Sequence, residues 1–113
     1  WVSLDAPRPL SVLSRAGLTT LCKRLGAGLV SVTDDSTGFQ FWGSEQYLRG
    51  IPLMDAKSVM LKPVDSPFSK AQLRDWEKQA VALNQTGRGD QAAWVIAPER
   101  PSAETTGVRR SRR

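Results

Sequence analysis

The sequence has no histidine, a single cysteine, and no apolar run long enough to cross a bilayer as a helix. Without histidine, neither a Ser-His-Asp nor a Cys-His nucleophile can be assembled, and every His-ligated zinc site is excluded. One thiol, Cys22, makes no intramolecular disulfide and no thiolate-clustered metal or iron–sulfur centre. Acids are also scarce: 11 Asp and Glu face 16 Lys and Arg, for a net charge of +5 and a pI near 10.0. Only 40% of the 113 residues are hydrophobic, while nine glycines and seven prolines enlarge the loop fraction. Apolar surface is thinly supplied for an isolated domain of this length. What is left is a small, basic, cofactor-poor chain, better suited to binding than to catalysis.

Residues 1–9 read as an extended lead-in, because Pro7 and Pro9 each remove a helix donor and bias the preceding residue away from the helix. Leu10, Leu13, Leu18, Leu21 and Leu25 share one arc at 3.6 residues per turn, with Arg15, Thr19 and Lys23 opposite, so an amphipathic helix is expected from Leu10 to Leu25. Gly26 and Gly28 end it. Gly17, inside the apolar arc, costs about 1 kcal/mol of propensity against Ala and fits either a close backbone approach or a tolerated small residue. From Leu29 to Thr33 the chain is β-branched, Asp34 to Gly38 supplies turn chemistry, and Phe39 to Trp42 alternates again. The pattern predicts a hairpin over 29–42, with Phe39 and Phe41 on one side and Gln40 and Trp42 on the other. A third strand is expected near 58–62, closed by Pro63. A second helix is expected over about 70–84: Ser69 and Gln72 form a capping-box pattern, Phe68 is placed to staple against Leu73, and Leu73, Trp76, Ala80 and Leu83 share a face. Ala92 to Ala97 is a brief apolar stretch around Trp94. Beyond Pro98 periodicity ends, and Arg109, Arg110, Arg112 and Arg113 form a basic tail expected to order only against a partner. The expected fold class is α+β: one small domain over 10–97, the lead-in before it and the tail over 98–113 after it.

Candidate chemistry is sparse. Asp34 and Asp35 are adjacent carboxylates, but neighbours in a turn splay apart into solvent rather than sharing a pocket as acid and base. Cys22 borders the leucine face and reads as a buried or half-buried structural thiol. Arg88-Gly89-Asp90 and Asn84-Gln85-Thr86 spell an adhesion tripeptide and a glycosylation acceptor, and with no sign of a secreted protein both read as coincidence. Gly26-Ala27-Gly28 lacks the third glycine and the preceding strand of a phosphate cradle. Basic residues beside aromatics can neutralise phosphates and stack on bases. Here Trp76 and Trp94 read as core anchors and Trp1 and Trp42 as exposed platforms. The arginine tail suits RNA, an anionic lipid surface or an acidic protein equally well.

Val32-Thr33-Asp34-Asp35-Ser36-Thr37-Gly38-Phe39-Gln40-Phe41-Trp42 resembles, without gaps, the V-G-x-D-x-x-G-N-x-Y-Y signature of a small accessory subunit of mitochondrial complex I and its paralogous assembly factor, mimitin. Asp35, Gly38 and the aromatic pair Phe41-Trp42 carry the likeness, and Phe39 stands where the signature has Asn. Arg49-Gly50, the stretch 59–61 and the Trp76 helix follow in comparable order. The resemblance implies a non-catalytic accessory or assembly subunit docked on the matrix arm, with no cofactor, electron carrier or small-molecule substrate. The thin apolar supply points in the same direction, to a subunit whose ends wrap its neighbours, with Leu13, Leu21 and Trp42 as docking contacts and Phe41 in the hairpin core. The tail arginines Arg109, Arg110, Arg112 and Arg113 would face an anionic surface. The implied location is the mitochondrial matrix or the matrix side of the inner membrane. The first helix agrees in its charge bias, with Arg15, Lys23 and Arg24 and no acid between Asp5 and Asp34. Trp1 in place of Met fits a processed or truncated chain. The alternative reading is a mitochondrial ribosomal protein that binds rRNA and neighbouring proteins through its basic surface and tail.

Overall fold

The computed structural model describes residues 12–99. The expected lead-in, Leu10 and Ser11 of the expected first helix, and the tail arginines Arg109, Arg110, Arg112 and Arg113 lie outside the described residues. The elements run α1 (Arg15–Arg24), β1 (Ala27–Asp34), α2 (Phe39–Leu48), a 3-10 turn (Pro63–Asp65), α3 (Lys70–Gln85) and β2 (Ala92–Pro98). This is the α+β class that the residue patterns predict. No helix among the described residues is long and apolar enough to cross a membrane.

α1 begins later than its leucine spacing suggests. Residues 12–14 are not helical, and Ser14 caps the helix by accepting the Gly17 N–H at 3.0 Å. Leu13 therefore sits ahead of the helix. A Cβ on Gly17 would meet the Ser14 hydroxyl at 3.3 Å and the Leu13 side chain at 3.8 Å, so no second backbone explains this glycine. Lys23 and Arg24 place positive charge in the last turn, where the helix dipole favours it. Gly26, at φ +63°, turns the chain into β1.

The expected 29–42 hairpin does not form. Its first half is β1, but Phe39 to Trp42 open α2, and the Gly38 carbonyl accepts the N–H groups of both Phe41 and Trp42. Four residues of alternation also satisfy a helical period, and here the rings decide. Phe39 and Trp42, three apart, meet edge-on with centroids 4.8 Å apart on one helix face, a contact a strand would prevent by pointing them to opposite sides. α3 supplies the second reason. The Glu77 carboxylate accepts the Gly38 N–H at 2.8 Å, placing negative charge at the start of α2. Phe41 is thus a half-buried helical residue, not part of a hairpin core.

The strand expected near 58–62 is also absent. Ser58 C=O accepts the Leu61 and Lys62 N–H groups, so the segment is a run of turns. Its apolar side chains do not pair in a ladder because Ser58 is held beneath α2, as described below.

α3 matches the expected helix closely, and its capping box is complete. Ser69 Oγ accepts the Gln72 N–H, and Gln72 Oε1 accepts the Ser69 N–H, both at 3.1 Å. Phe68 packs edge-on against Trp76 with centroids 5.0 Å apart, while the Arg49 guanidinium lies 4.8 Å above its ring.

β1 pairs antiparallel with β2, from Ala27 opposite Pro98 to Asp34 opposite Ala92. Val30 is an extra, unpaired residue between Leu29 and Ser31, a β-bulge on β1 alone. Among the described residues, Cys22, Phe68 and Ala80 are the buried hydrophobic ones, and Ser36, Gln46 and Ser58 are buried with them. Cys22 is the enclosed thiol expected.

Candidate interaction surface

The polar atoms of Asp34, Asn84, Gln46 and Ser58 are taken up by hydrogen bonds within the fold, whereas the buried Gln40 Nε2 has no hydrogen-bond partner among the described residues. Asp34, expected to splay into solvent from a turn, instead ends β1 with its side chain only 3% exposed. One carboxylate oxygen accepts from the Arg15 guanidinium at 2.5 Å and the other accepts the Gly89 N–H at 2.9 Å. The Arg15 hydrogen bond, helped by Gly89, holds this carboxyl below its ordinary pKa even though desolvation pushes the other way. Asp35 alone meets the expectation of an exposed acid. Next to it, Asn84 clasps the Ser36 backbone from both sides. Its Oδ1 accepts the Ser36 N–H at 3.1 Å, and its Nδ2 donates to the Ser36 C=O at 2.8 Å. Asn84 is therefore structural, as is Gly89, whose missing side chain leaves room for the Ser36 hydroxyl 2.5 Å from where a Cβ would stand. Neither three-residue coincidence in this stretch is a free motif.

A second polar knot ties α2 to the long connection that follows it. Gln46 is 1% exposed and Ser58 is fully buried. Gln46 Nε2 donates to Ser58 Oγ at 3.1 Å, and Gln46 Oε1 accepts the Val59 N–H at 2.8 Å. No three His, Cys, Asp or Glu side chains converge on a metal position among the described residues.

The apolar side chains are distributed very differently. Among the described residues, fifteen large hydrophobic ones are exposed, including Leu13, Leu21 and Leu25 around α1, Tyr47 and Leu48 at the end of α2, and Met54, Met60, Leu61 and Val64 in the long connection. Leu48 and Val64 are 82% and 81% exposed. Of the docking residues expected from sequence, Leu13 and Leu21 lie on this surface, whereas Trp42 is half-buried against Phe39. Gly38 is buried against α3: a Cβ there would stand 2.9 Å from the Glu77 carboxylate and 3.3 Å from its backbone nitrogen. Asp35, Gly38, Phe41 and Trp42 therefore lie along a strand exit and a helix start, not around one turn of a hairpin.

No family model matches this chain. Neither a curated protein nor a solved structure matches it either.

Two further features escaped the sequence reading. A cavity of about 350 Å³ lies between the start of α1 and β2, lined by Val12, Leu13, Arg15, Leu18, Ala92 and Trp94 among others. On α3, Lys70, Arg74 and Lys78 are all exposed and spaced four apart, which lines three cations along one helix face. That four-residue spacing was legible in the sequence. The cavity was not, because it needs β2 brought beside α1.

Proposed function

We propose that this chain is a non-catalytic docking protein, an accessory or assembly subunit whose exposed apolar side chains are covered by neighbouring macromolecules. The observation that carries this reading is the imbalance, among the described residues, between fifteen exposed large hydrophobic residues and three buried hydrophobic ones. The use of the polar residues supports it. Asp34, Asn84, Gln46 and Ser58 are spent on hydrogen bonds within the fold rather than directed at a substrate. The assembly we propose is a mitochondrial respiratory complex, complex I first, on the resemblance of residues 32–42. Separation of native membranes on blue-native gels, followed by mass spectrometry of the bands, tests this. The chain is expected to migrate with the respiratory complex, and migration as a free monomer while intact complex I lacks it would refute the assignment.

The line of Lys70, Arg74 and Lys78 favours a second reading, in which the partner is ribosomal RNA. That reading requires an rRNA affinity that falls with salt, with a slope reduced by about one for each of these cations removed. An affinity indifferent to salt rejects it.

A further inference from the structure

Among the described residues, β2 pairs along only one of its two edges. The Gln91 carbonyl accepts the Asp35 N–H at 3.2 Å, and the Glu99 N–H donates to the Gly26 carbonyl at 2.8 Å. Successive residues of a strand direct their amide groups to opposite sides. The odd-numbered residues of β2 therefore face β1, and the groups of Ala92, Trp94, Ile96 and Pro98 face away at an even spacing of two. No described strand meets them. The outer edge of β1 is different, because Val30 is inserted between Leu29 and Ser31 and breaks its spacing. A bulge of this kind is one way in which sheets discourage a further strand. β2 has no such device: it contains no charge, and no proline before Pro98.

We propose that β2 pairs antiparallel with β2 of a second copy of this chain about a two-fold axis at Val95, making a continuous four-stranded sheet in the order β1-β2-β2-β1. Self-association here does not depend on which larger assembly holds the chain. The strand is complementary to its own reverse. With Val95 on the axis, Trp94 lies opposite Ile96 of the copy, and each exchanges both backbone hydrogen bonds with the other. Ala92 N–H meets the Pro98 carbonyl, so the donor that Pro98 lacks falls at the end of the ladder. Trp94 with Ile96 is the aromatic–β-branched cross-strand pair that stabilises sheets. On the other face Val95, 52% exposed in the single chain, meets its own counterpart. A slip of two residues in either direction breaks both Trp94–Ile96 pairs. The cavity beside α1 adds a further reason. Ala92 and Trp94 line it, and the copy's Pro98 and Ile96 are the side chains this register places beside them. A lone two-stranded sheet is marginal in water, whereas four strands is a common size.

Sedimentation equilibrium and oxidative cross-linking of the full chain test the proposal. The wild type is expected to show a concentration-dependent dimer. Val95→Lys, at an exposed position, sets two ammonium groups against each other on the axis and is expected to weaken association at least about tenfold. Val95→Cys is expected to cross-link with itself on oxidation, because Val95 on the axis is a non-hydrogen-bonded pair, where directly opposed Cβ atoms come closest, about 4.5 Å apart and within reach of a disulfide. Ala93→Cys is expected not to, since its counterpart would be roughly 14 Å away. The wild type, whose one thiol is buried, sets the background. A wild type that stays monomeric at roughly 1 mM, where even a millimolar interface is half-filled, overturns the proposal. A dimer untouched by Val95→Lys, or one that cross-links equally through Ala93→Cys, does so as well.

Discussion

Replacing Gln46 by Ala isolates the polar knot under α2. The substitution deletes the acceptor of the Val59 N–H, bonded at 2.8 Å, and the donor to Ser58 Oγ at 3.1 Å, in a place where Gln46 is 1% exposed and Ser58 is fully buried. Ser58 Oγ keeps one partner, the Met60 N–H at 3.2 Å, so the cost centres on Val59 and on the volume vacated. A buried donor left without a partner costs about 1–3 kcal/mol, and the lost Ser58 bond adds about 0.5–1.5 kcal/mol. The expected destabilisation is about 2–3 kcal/mol, a large share of what a domain of this size has to spare. Urea unfolding followed by tryptophan fluorescence measures it, with the midpoint falling and the slope unchanged. Ser58→Ala is expected to cost about 1–2 kcal/mol, and the double substitution to cost less than the sum by about 1 kcal/mol, because both delete the same bond. Gln79→Ala is the control: Gln79 also bonds a side chain, Asp75 at 2.7 Å, but on the exposed face of α3, and its loss should stay within about 0.5 kcal/mol. If Gln46→Ala costs no more than Gln79→Ala, or the Gln46 and Ser58 effects simply add, the knot does not hold the 49–62 connection.

Three other outcomes follow from the same reasoning. Gly38→Ala forces a methyl group to within 2.9 Å of the Glu77 carboxylate and 3.3 Å of its backbone nitrogen, and should cost about 1–3 kcal/mol in the same urea assay; an unchanged midpoint would show that α2 and α3 are not pressed together there. Asp34 has its folded pKa lowered by Arg15, so its contribution is present above the unfolded carboxylate value near 3.9 and is lost as pH falls through the lower folded value. Asp34→Asn should therefore flatten the acid limb of stability against pH, and an acid limb as steep as the wild type's would contradict the pairing. Phe68→Ala removes a 5% exposed ring wedged between Trp76 and Arg49, with an expected cost of about 3–4 kcal/mol and a red shift of Trp76 emission, both read in one fluorescence titration.

Elements set by neighbouring residues were legible in the chain, and those set by distant ones were not. α3 announces itself because Ser69 and Gln72 satisfy each other's backbone within four residues, and its apolar period does not need the rest of the fold. β1 is legible from its branched residues. α2 was not, because Phe39 to Trp42 alternate like a strand and the carboxylate that stabilises their helix belongs to Glu77, far along the sequence. The Ser58 segment looked like a strand for a similar reason: its apolar composition is plain, while the buried amide of Gln46 that folds it into turns is visible only in three dimensions. The partner of β1 was misread on grounds of economy. Asp34 to Gly38 looked sufficient for a hairpin, yet Asp34 is committed to Arg15 and Gly89, and the neighbouring strand comes from residues 92–98. For the candidate surface, Leu21 was recognisable from helical spacing, whereas Leu13 is exposed but lies ahead of the helix that its spacing suggests. The free edge of β2 was recognisable only as a short uncharged run.

The pairing of β1 with β2 has a consequence for the order in which the protein is made. Residues 35–91 separate the two strands, so a translating ribosome at about 5–20 residues per second releases β1 roughly 3–12 s before β2 exists. During that interval α3 can already coil on its own caps, while the valines of β1 wait beside an empty position, open to chaperones or to strands of other nascent chains. Closing so long a segment carries an entropy cost of about 3–4 kcal/mol on top of a constant, which weighs against the sheet forming before the helices, whose contacts are local.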